Sequence, residues 1–507
     1  MAQYQGWTSG PNTRGSFDIL WTCLTTMALC VWTAVHPNIP VVSRFGPTLL
    51  ERLGLMMLAM IFPEFVMTAA WDQRRRAQRL LQEVNPSPAR HEDEILREAA
   101  DASLLPPDTS HRWSLLQALF AVMGGYALET QYTSQVTKQP RTIRRLVTPE
   151  GVAILATTGT LPSVSERDLE ERSKADVFAK VIVVCQILWF ALQVLGRLGQ
   201  RLPVTLLETH TTIHVGCAIV VYAIWLHKPY NLSQSVMVTG PDSQRIGAFF
   251  NFHDISYAVY RRQCERYETH RIEYWKRRII HASRGVTRFE SPPEPPTRKP
   301  LVQLLAEHRS SPADRMTAVD EDEDLLYALA PEASEGLEML QRHGCRVADT
   351  TDPNDPFLRQ TSANFTIRTV WGGWSTDVGH EPSWSKGIHV GFNVLYGGCH
   401  LAAWSSAFPS PVERWLWRAS ALFLISVPVW GALRILWWTA VRSRHRAVYP
   451  IRNGDLDVIA APMFFTIFVV YTVARWYFLI EALMSLRRLP LQAYDTVNWT
   501  SILPHVG

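Results

Sequence analysis

The sequence predicts an all-α fold, a polytopic bundle of about seven transmembrane helices joined by polar, partly disordered helical loops. Three observations carry this. Several stretches of about 20 residues are almost free of charge, the length a helix needs to cross the hydrocarbon core. Arg clusters stand directly at their ends. Many of the 19 Trp residues mark those ends too, including Trp71, Trp225, Trp404, Trp415, Trp437 and Trp438, where interfacial aromatic belts are expected.

The first run is Phe17 to Val35, stopped by His36-Pro37. No cleavage pattern of small residues follows it, so it reads as a retained span and not as a secretory signal. The second is Leu53 to Trp71, followed at once by Arg74, Arg75, Arg76 and Arg79; this is the clearest positive-inside marker in the chain. Between 73 and 176 the chain is polar, with a charged helical stretch from His91 to Asp101. Trp113 to Leu128 is apolar but short for a crossing and holds Gly124-Gly125, so it reads as a re-entrant or interfacial segment. Ser163 or Ser165 caps a polar helix whose first turn is acidic.

The third and fourth runs are Val177 to Gly196 and Leu206 to Leu226, the latter closed by His227-Lys228-Pro229. A large polar loop follows. It contains a basic, aromatic helix over Phe252 to Ile280, a Pro-rich break at 291–296 and an acidic helix over Ala318 to Gln341. Such composition predicts mobility over 285–320. The last runs are Ile388 to Phe408, Trp415 to Thr439 and Val458 to Ile480. The resulting division is an N-terminal membrane hairpin (1–72), a polar segment with the interfacial helix (73–176), a second hairpin (177–228), the large loop (229–387), a three-span region (388–482) and a tail (483–507). With a cytoplasmic N-terminus, the basic clusters after the second, fourth and sixth runs share one side. Asn498-Trp499-Thr500 is then a glycosylation candidate on the other side, and the sequons at Asn231 and Asn364 are cytoplasmic.

Net charge of +4 gives no reason to expect nucleic acid. The basic residues cluster beside the spans, as an anionic leaflet requires. The implied partners are the lipid bilayer and a lipophilic small molecule; protein partners are not specified. The seven Cys lack paired spacing, and those in apolar runs (Cys23, Cys30, Cys185, Cys217, Cys399) act as small hydrophobes.

Ionisable groups inside spans are costly and mark candidate sites. Glu64 follows Pro63 near the middle of the second run and suits proton donation, cation binding or a structural hydrogen bond. Glu208 is the second catalytic candidate. His210 and His214 lie four apart on one helical face, the spacing of a metal-binding pair, with interhelical hydrogen bonding as the alternative. His400 has no His at metal spacing. Arg418 and Arg434 lie near span ends and can snorkel. Arg475 is deeper; pairing with Glu481 across helices is the expectation, with an anion or lipid-headgroup site as the alternative. No phosphate loop, nucleophile elbow or aspartate-rich prenyl-diphosphate motif occurs, and no cofactor is implied.

The chain resembles a group of uncharacterised multi-pass membrane proteins of filamentous fungi. The resemblance rests on Trp21-Thr22-Cys23 closing in Val35-His36-Pro37-Asn38-Ile39-Pro40, Phe62-Pro63-Glu64-Phe65, Met123-Gly124-Gly125-Tyr126 and Glu171-Arg172-Ser173-Lys174-Ala175-Asp176. It continues through Leu207-Glu208 to His227-Lys228-Pro229, Ala403-Trp404-Ser405 and Leu489-Pro490-Leu491-Gln492-Ala493-Tyr494. It implies a membrane protein of the plasma membrane or endomembranes and supplies no catalytic residues. The functional expectation is a scaffold or partner-binding protein. A membrane enzyme such as an isoprenoid cyclase, using Glu64 or Glu208, and a transporter are the alternatives.

Overall fold

The computed structural model describes residues 4–8, 14–39, 49–85, 112–173, 177–229, 232, 234–283, 293–297, 299–310, 321–345, 362–363, 383–444 and 453–499. The helix expected at His91 to Asp101, the sequons at Asn231 and Asn364, and most of 285–320 lie outside these residues.

Five helices among the described residues are long and apolar enough to cross a membrane. They lie in α1 (Ser16–Ala34), α7 (Val177–Gly199), α8 (Leu206–Ile224), α13 (Pro411–Arg444) and α14 (Asn453–Met484). Their outer faces are apolar. α7 exposes Val181, Val184, Leu188, Leu192 and Leu195, and α14 exposes Phe465, Phe468, Val473 and Ile480. Large continuous apolar surface of this kind marks membrane or protein contact. The chain is built mainly of helices, five of them suited by length and apolarity to crossing a membrane. Small residues let helices approach closely, and Cys23, Cys30 and Ala34 of α1 share one buried cluster with Cys217 and Ala218 of α8. A polar link joins α7 to α1, Gln186 Nε2 donating to Thr26 Oγ1 at 2.9 Å.

The expected second span is broken. Helix α2 (Leu49–Ile61) stops at Phe62, and α3 (Pro63–Val84) starts at a direction 112° away. Proline causes this. It has no N–H for the preceding turn, and it forces the residue before it out of the helical region; Phe62 has φ −129° and ψ 61°. Arg52, in the first turn of α2, lies over the Trp32 ring near the end of α1, and Arg74 of α3 donates to the Ile224 carbonyl at the end of α8. Both outer ends of the bent pair thus lie at one end of the bundle, with the bend inside it. The fifth expected run is also shorter: α12 (Ser383–Cys399) passes into a 3-10 turn, His400–Ala403.

The all-α expectation misses a four-stranded sheet of order β4-β2-β3-β5, formed by β2 (Tyr126–Thr133), β3 (Pro140–Val147), β4 (Val236–Val238) and β5 (Ser362–Ala363). The run 113–128 is not one interfacial helix. It divides into α4 (Leu115–Val122) and the first half of β2. Gly124 takes φ +90° at the junction, a conformation only glycine adopts without strain. The sheet packs with α4, α5 (Pro149–Thr157), α6 (Glu166–Ser173), α9 (Pro241–Ser283), α10 (Leu301–Ser310) and α11 (Glu321–Arg342). Phe120, Tyr126, Phe249, Phe250, Leu329 and Leu340 are in its core. Ser165 caps α6 by accepting from Asp168 N–H at 3.1 Å.

Strand β1 (Tyr4–Gln5) pairs with β6 (Leu489–Pro490), Tyr4 opposite Pro490. Arg14 N–H also donates to the Tyr494 carbonyl. The two ends of the described chain therefore share one face. The expected seven spans are not reached among the described residues, where five helices qualify, or six if the bent pair counts as one.

Candidate functional site

Polar side chains converge where the α2–α3 bend enters the bundle. Glu64, in the first turn of α3, carries an oxygen 2.7 Å from an Arg475 nitrogen of α14, and both side chains are fully buried. The helix N-terminus adds a favourable field for the carboxylate. Tyr471, one turn before Arg475, accepts from it at 2.6 Å and lies 3.3 Å from Glu64 Oε1 and 3.0 Å from Asn393 Oδ1. The phenol has one proton, so it serves one of those acceptors at a time. The guanidinium carbon lies 3.9 Å over the Tyr396 ring, within cation–π range. Glu64 Oε2 and Arg475 Nε and Nη1 have no hydrogen-bond partner among the described residues.

Three histidines adjoin this pair. His214 Nε2 lies 2.8 Å from the Met60 carbonyl. Glu64, four residues on, lies beyond the break, so Met60 is among the last-turn carbonyls that a helix end leaves without intrahelical donors. His210 Nδ1 lies 3.3 Å from His400 Nε2, and His400 Nδ1 lies 2.9 Å from the Tyr396 carbonyl. Hydrogen-bond logic orders the protons. A carbonyl only accepts, so His400 carries its proton on Nδ1, and its Nε2 accepts from His210 Nδ1–H. That leaves His210 Nε2 as a buried lone pair, unpartnered among the described residues. His400 stacks on Phe478 at 4.1 Å, and Trp417 Nε1 donates to its carbonyl at 3.0 Å.

The expected site residues are thus partly brought together. Glu64, His210, His214, His400 and Arg475 share the centre of the bundle. Arg475 pairs with Glu64 and not with Glu481, which is on its own helix and has an unpartnered buried oxygen. Glu208 lies in the first turn of α8. Its Oε2 accepts from Thr205 N–H and Oγ1, both at 2.9 Å, closing a capping box at the start of α8, and its Oε1 is ion-paired with Arg14. For metal, no group of three or more His, Cys, Asp or Glu side chains among the described residues is arranged to hold an ion. Arg418 bonds the Trp404 carbonyl and lies over the Trp404 and Trp415 rings, an interfacial placement. The side chain of Arg434 lies outside the described residues. Asn498 is exposed, with its backbone tied to Gln200 on the face of the paired ends. Asn393, Tyr396 and Tyr471 were missed by sequence reasoning. The signal was present: Asn393, Tyr396 and His400 form a polar stripe at helical spacing in an apolar run.

Beside the centre lies a cavity of about 670 Å³ between α7, α8 and α12, walled by Val194, Leu198, Ile213, Gly216, Phe392 and Leu395. Tyr396, Cys217 and Cys399 also line it; Glu64 and Glu208 do not.

A second polar knot joins the C-terminal ends of α1 and α8 to α3. Lys228 Nζ, just past α8, donates to the His36 carbonyl (2.7 Å), Gln73 Oε1 (2.9 Å) and Asn38 Oδ1 (3.0 Å), and lies over Trp225. Burial pulls its pKa well below the usual lysine value, while these three acceptors match the three ammonium protons.

The chain matches the model of a family of unknown function, DUF8562, over residues 1–254 and 387–506, and belongs to that family. The match omits most of α9 and all of α10 and α11. No curated protein and no solved structure matches the chain.

Proposed function

We propose that this family member is a membrane-anchored scaffold or partner-binding protein that holds its α/β unit on the cytoplasmic face. In this reading α1, α7, α8, α12, α13 and α14 cross the bilayer, and α2–α3 is a re-entrant pair. Six passes return the chain to its starting face, in accord with the β1–β6 pairing. The α/β unit lies on the other face, where Arg74, Arg75, Arg76 and Arg79 follow the membrane part of α3. Positive charge selects that face as cytoplasmic, so the paired ends and Asn498 face outward or into a lumen.

One observation carries the scaffold reading over acid catalysis. The two carboxylates an intramembrane acid mechanism would use are committed to the fold, Glu64 to Arg475 and Glu208 to its capping box and Arg14. Neither reaches the cavity where a lipophilic substrate would sit. The test complements a deletion strain with the neutral double variant Glu64→Gln/Arg475→Gln. A scaffold keeps its metabolite profile and phenotype at normal abundance. Loss of the phenotype at normal abundance would overturn the reading. Topology is tested with single cysteines at Trp7, Val136 and Asp495. A membrane-impermeant thiol reagent should find Trp7 and Asp495 on one side and Val136 on the other.

A further inference from the structure

We infer that the cavity between α7, α8 and α12 is a binding site for a neutral lipophile bearing a single hydroxyl, its polar end held by Tyr396. Three observations support this. First, the wall is mostly apolar, with Ser406, Thr209 and Thr212 its hydroxyl residues besides Tyr396. Thr209 and Thr212 line it, but their hydroxyls are donated to the carbonyls of Thr205 and Glu208 one turn back, at 3.1 and 2.7 Å. The volume of about 670 Å³ falls in the range of small-molecule sites.

Second, Tyr396 leaves a polar group unused in this wall. The residue is 2 % exposed and lines the cavity, yet its hydroxyl has no hydrogen bond among the described residues. A buried phenol normally finds a partner, and a ligand hydroxyl both donates and accepts.

Third, the neighbouring charges select against an ionic head. The Glu64–Arg475 pair lies behind Tyr396, the guanidinium 3.9 Å from its ring. Glu64 and Arg475 already neutralise each other, so a charged head would be desolvated in the cavity without a free counter-ion. A neutral hydroxyl avoids this cost. Gly216 completes the site. It lines the cavity, and a side-chain carbon placed on it meets nothing within 4 Å, so its missing side chain is part of the space.

The inference rests on α7, α8 and α12 lying in the bilayer, which the same cysteine labelling applied to the α7–α8 and α12–α13 turns decides separately. The experiment uses the full chain in phosphatidylcholine nanodiscs with hexadecanol carrying a diazirine on its chain. Photolabelling, mapped by mass spectrometry, should fall on peptides containing 209–220 and 392–402 and be displaced by unlabelled hexadecanol. Gly216→Phe, which fills the space, should remove this labelling and leave that of the lipid-facing side of α7. Tyr396→Phe should raise the half-displacing hexadecanol concentration about fivefold, the equivalent of one hydrogen bond. Hexadecyl sulfate should displace the probe at least about tenfold less well, the equivalent of ~1.4 kcal/mol. Size-exclusion profiles and thermal unfolding establish that both variants fold; were Gly216→Phe to misfold, Gly216→Leu takes its place. Labelling that persists in the folded Gly216 variant, displacement unaltered in Tyr396→Phe, or equal displacement by the sulfate would each overturn the assignment.

Discussion

Breaking the Glu64–Arg475 pair from one side should be far more damaging than replacing it from both. The pair is at 2.7 Å with both side chains fully buried, and removal of one partner of such a pair leaves an uncompensated charge, at a cost of about 3–5 kcal/mol. Glu64→Leu should show the full loss. Glu64→Gln keeps an acceptor for Tyr471 and for the Arg475 nitrogen but not the charge, so it should recover only the hydrogen-bond part, about 1 kcal/mol. Arg475→Gln strands the carboxylate and should lose a similar amount to Glu64→Leu. The double variant Glu64→Gln/Arg475→Gln removes both charges and should lie within about 1–2 kcal/mol of the parent, since a neutral replacement of a buried pair is often close to neutral. The unpartnered Glu64 Oε2 and Arg475 Nε and Nη1 push in the same direction, because these atoms gain little from being charged where they are. The assay is reversible unfolding in mixed detergent micelles, read by Trp fluorescence, with the coupling taken from the four-variant cycle. Coupling below about 0.5 kcal/mol, with the double variant as unstable as the sum of the singles, would refute the argument that the charges are held for each other.

Arg197 gives a second prediction. Its guanidinium bonds the carbonyls of Pro203, Gln492, Ala493 and Asp495. Arg197→Lys keeps the charge but not the fork, so limited proteolysis should cut the 489–497 segment faster, and an unchanged rate would show that the fork is dispensable. In the α/β unit, Asp324 accepts from Ser134 Oγ and from the Gln135 and Val136 amides at 2.7, 2.7 and 3.1 Å. Asp324→Ala should cost about 1.5–3 kcal/mol and speed amide exchange in the β2–β3 turn; protection equal to the parent's would count against this anchor. Lys228→Met leaves three oxygens without their donor, and a drop of about 1–3 kcal/mol is expected in the same unfolding assay. If the paired ends are lumenal, Asn498→Gln should abolish an endoglycosidase-sensitive gel shift; a chain with no shift to abolish would argue against that side.

The sequence by itself determined the solvent of each segment. Hydropathy is a local quantity, so the runs at α1, α7, α8, α13 and α14 were legible without knowing what they touch. The same holds for the presence of chemistry at the centre. A Glu beside a proline, a His pair four apart and a deep Arg stand out in apolar runs because each is expensive there. Only the tertiary structure decided their partners. Glu64 and Arg475 are 411 positions apart and His210 and His400 are 190 apart, separations over which no local pattern reports contact. Pro63 stands in the second run, but whether a proline kinks a helix or turns the chain back depends on what receives the freed ends. Here His214 takes the Met60 carbonyl, Arg475 takes Glu64, and α3 leaves by the end at which α2 entered. The fold likewise sets Tyr4 opposite Pro490, 486 positions away. The strand at Tyr126 was hidden for a related reason: Gly124-Gly125 interrupts one apolar run, and only the neighbours β3 and β4 turn its second half into sheet. Burial is set by each residue's own chemistry, whereas pairing belongs to two distant residues at once, and the fold alone brings them together.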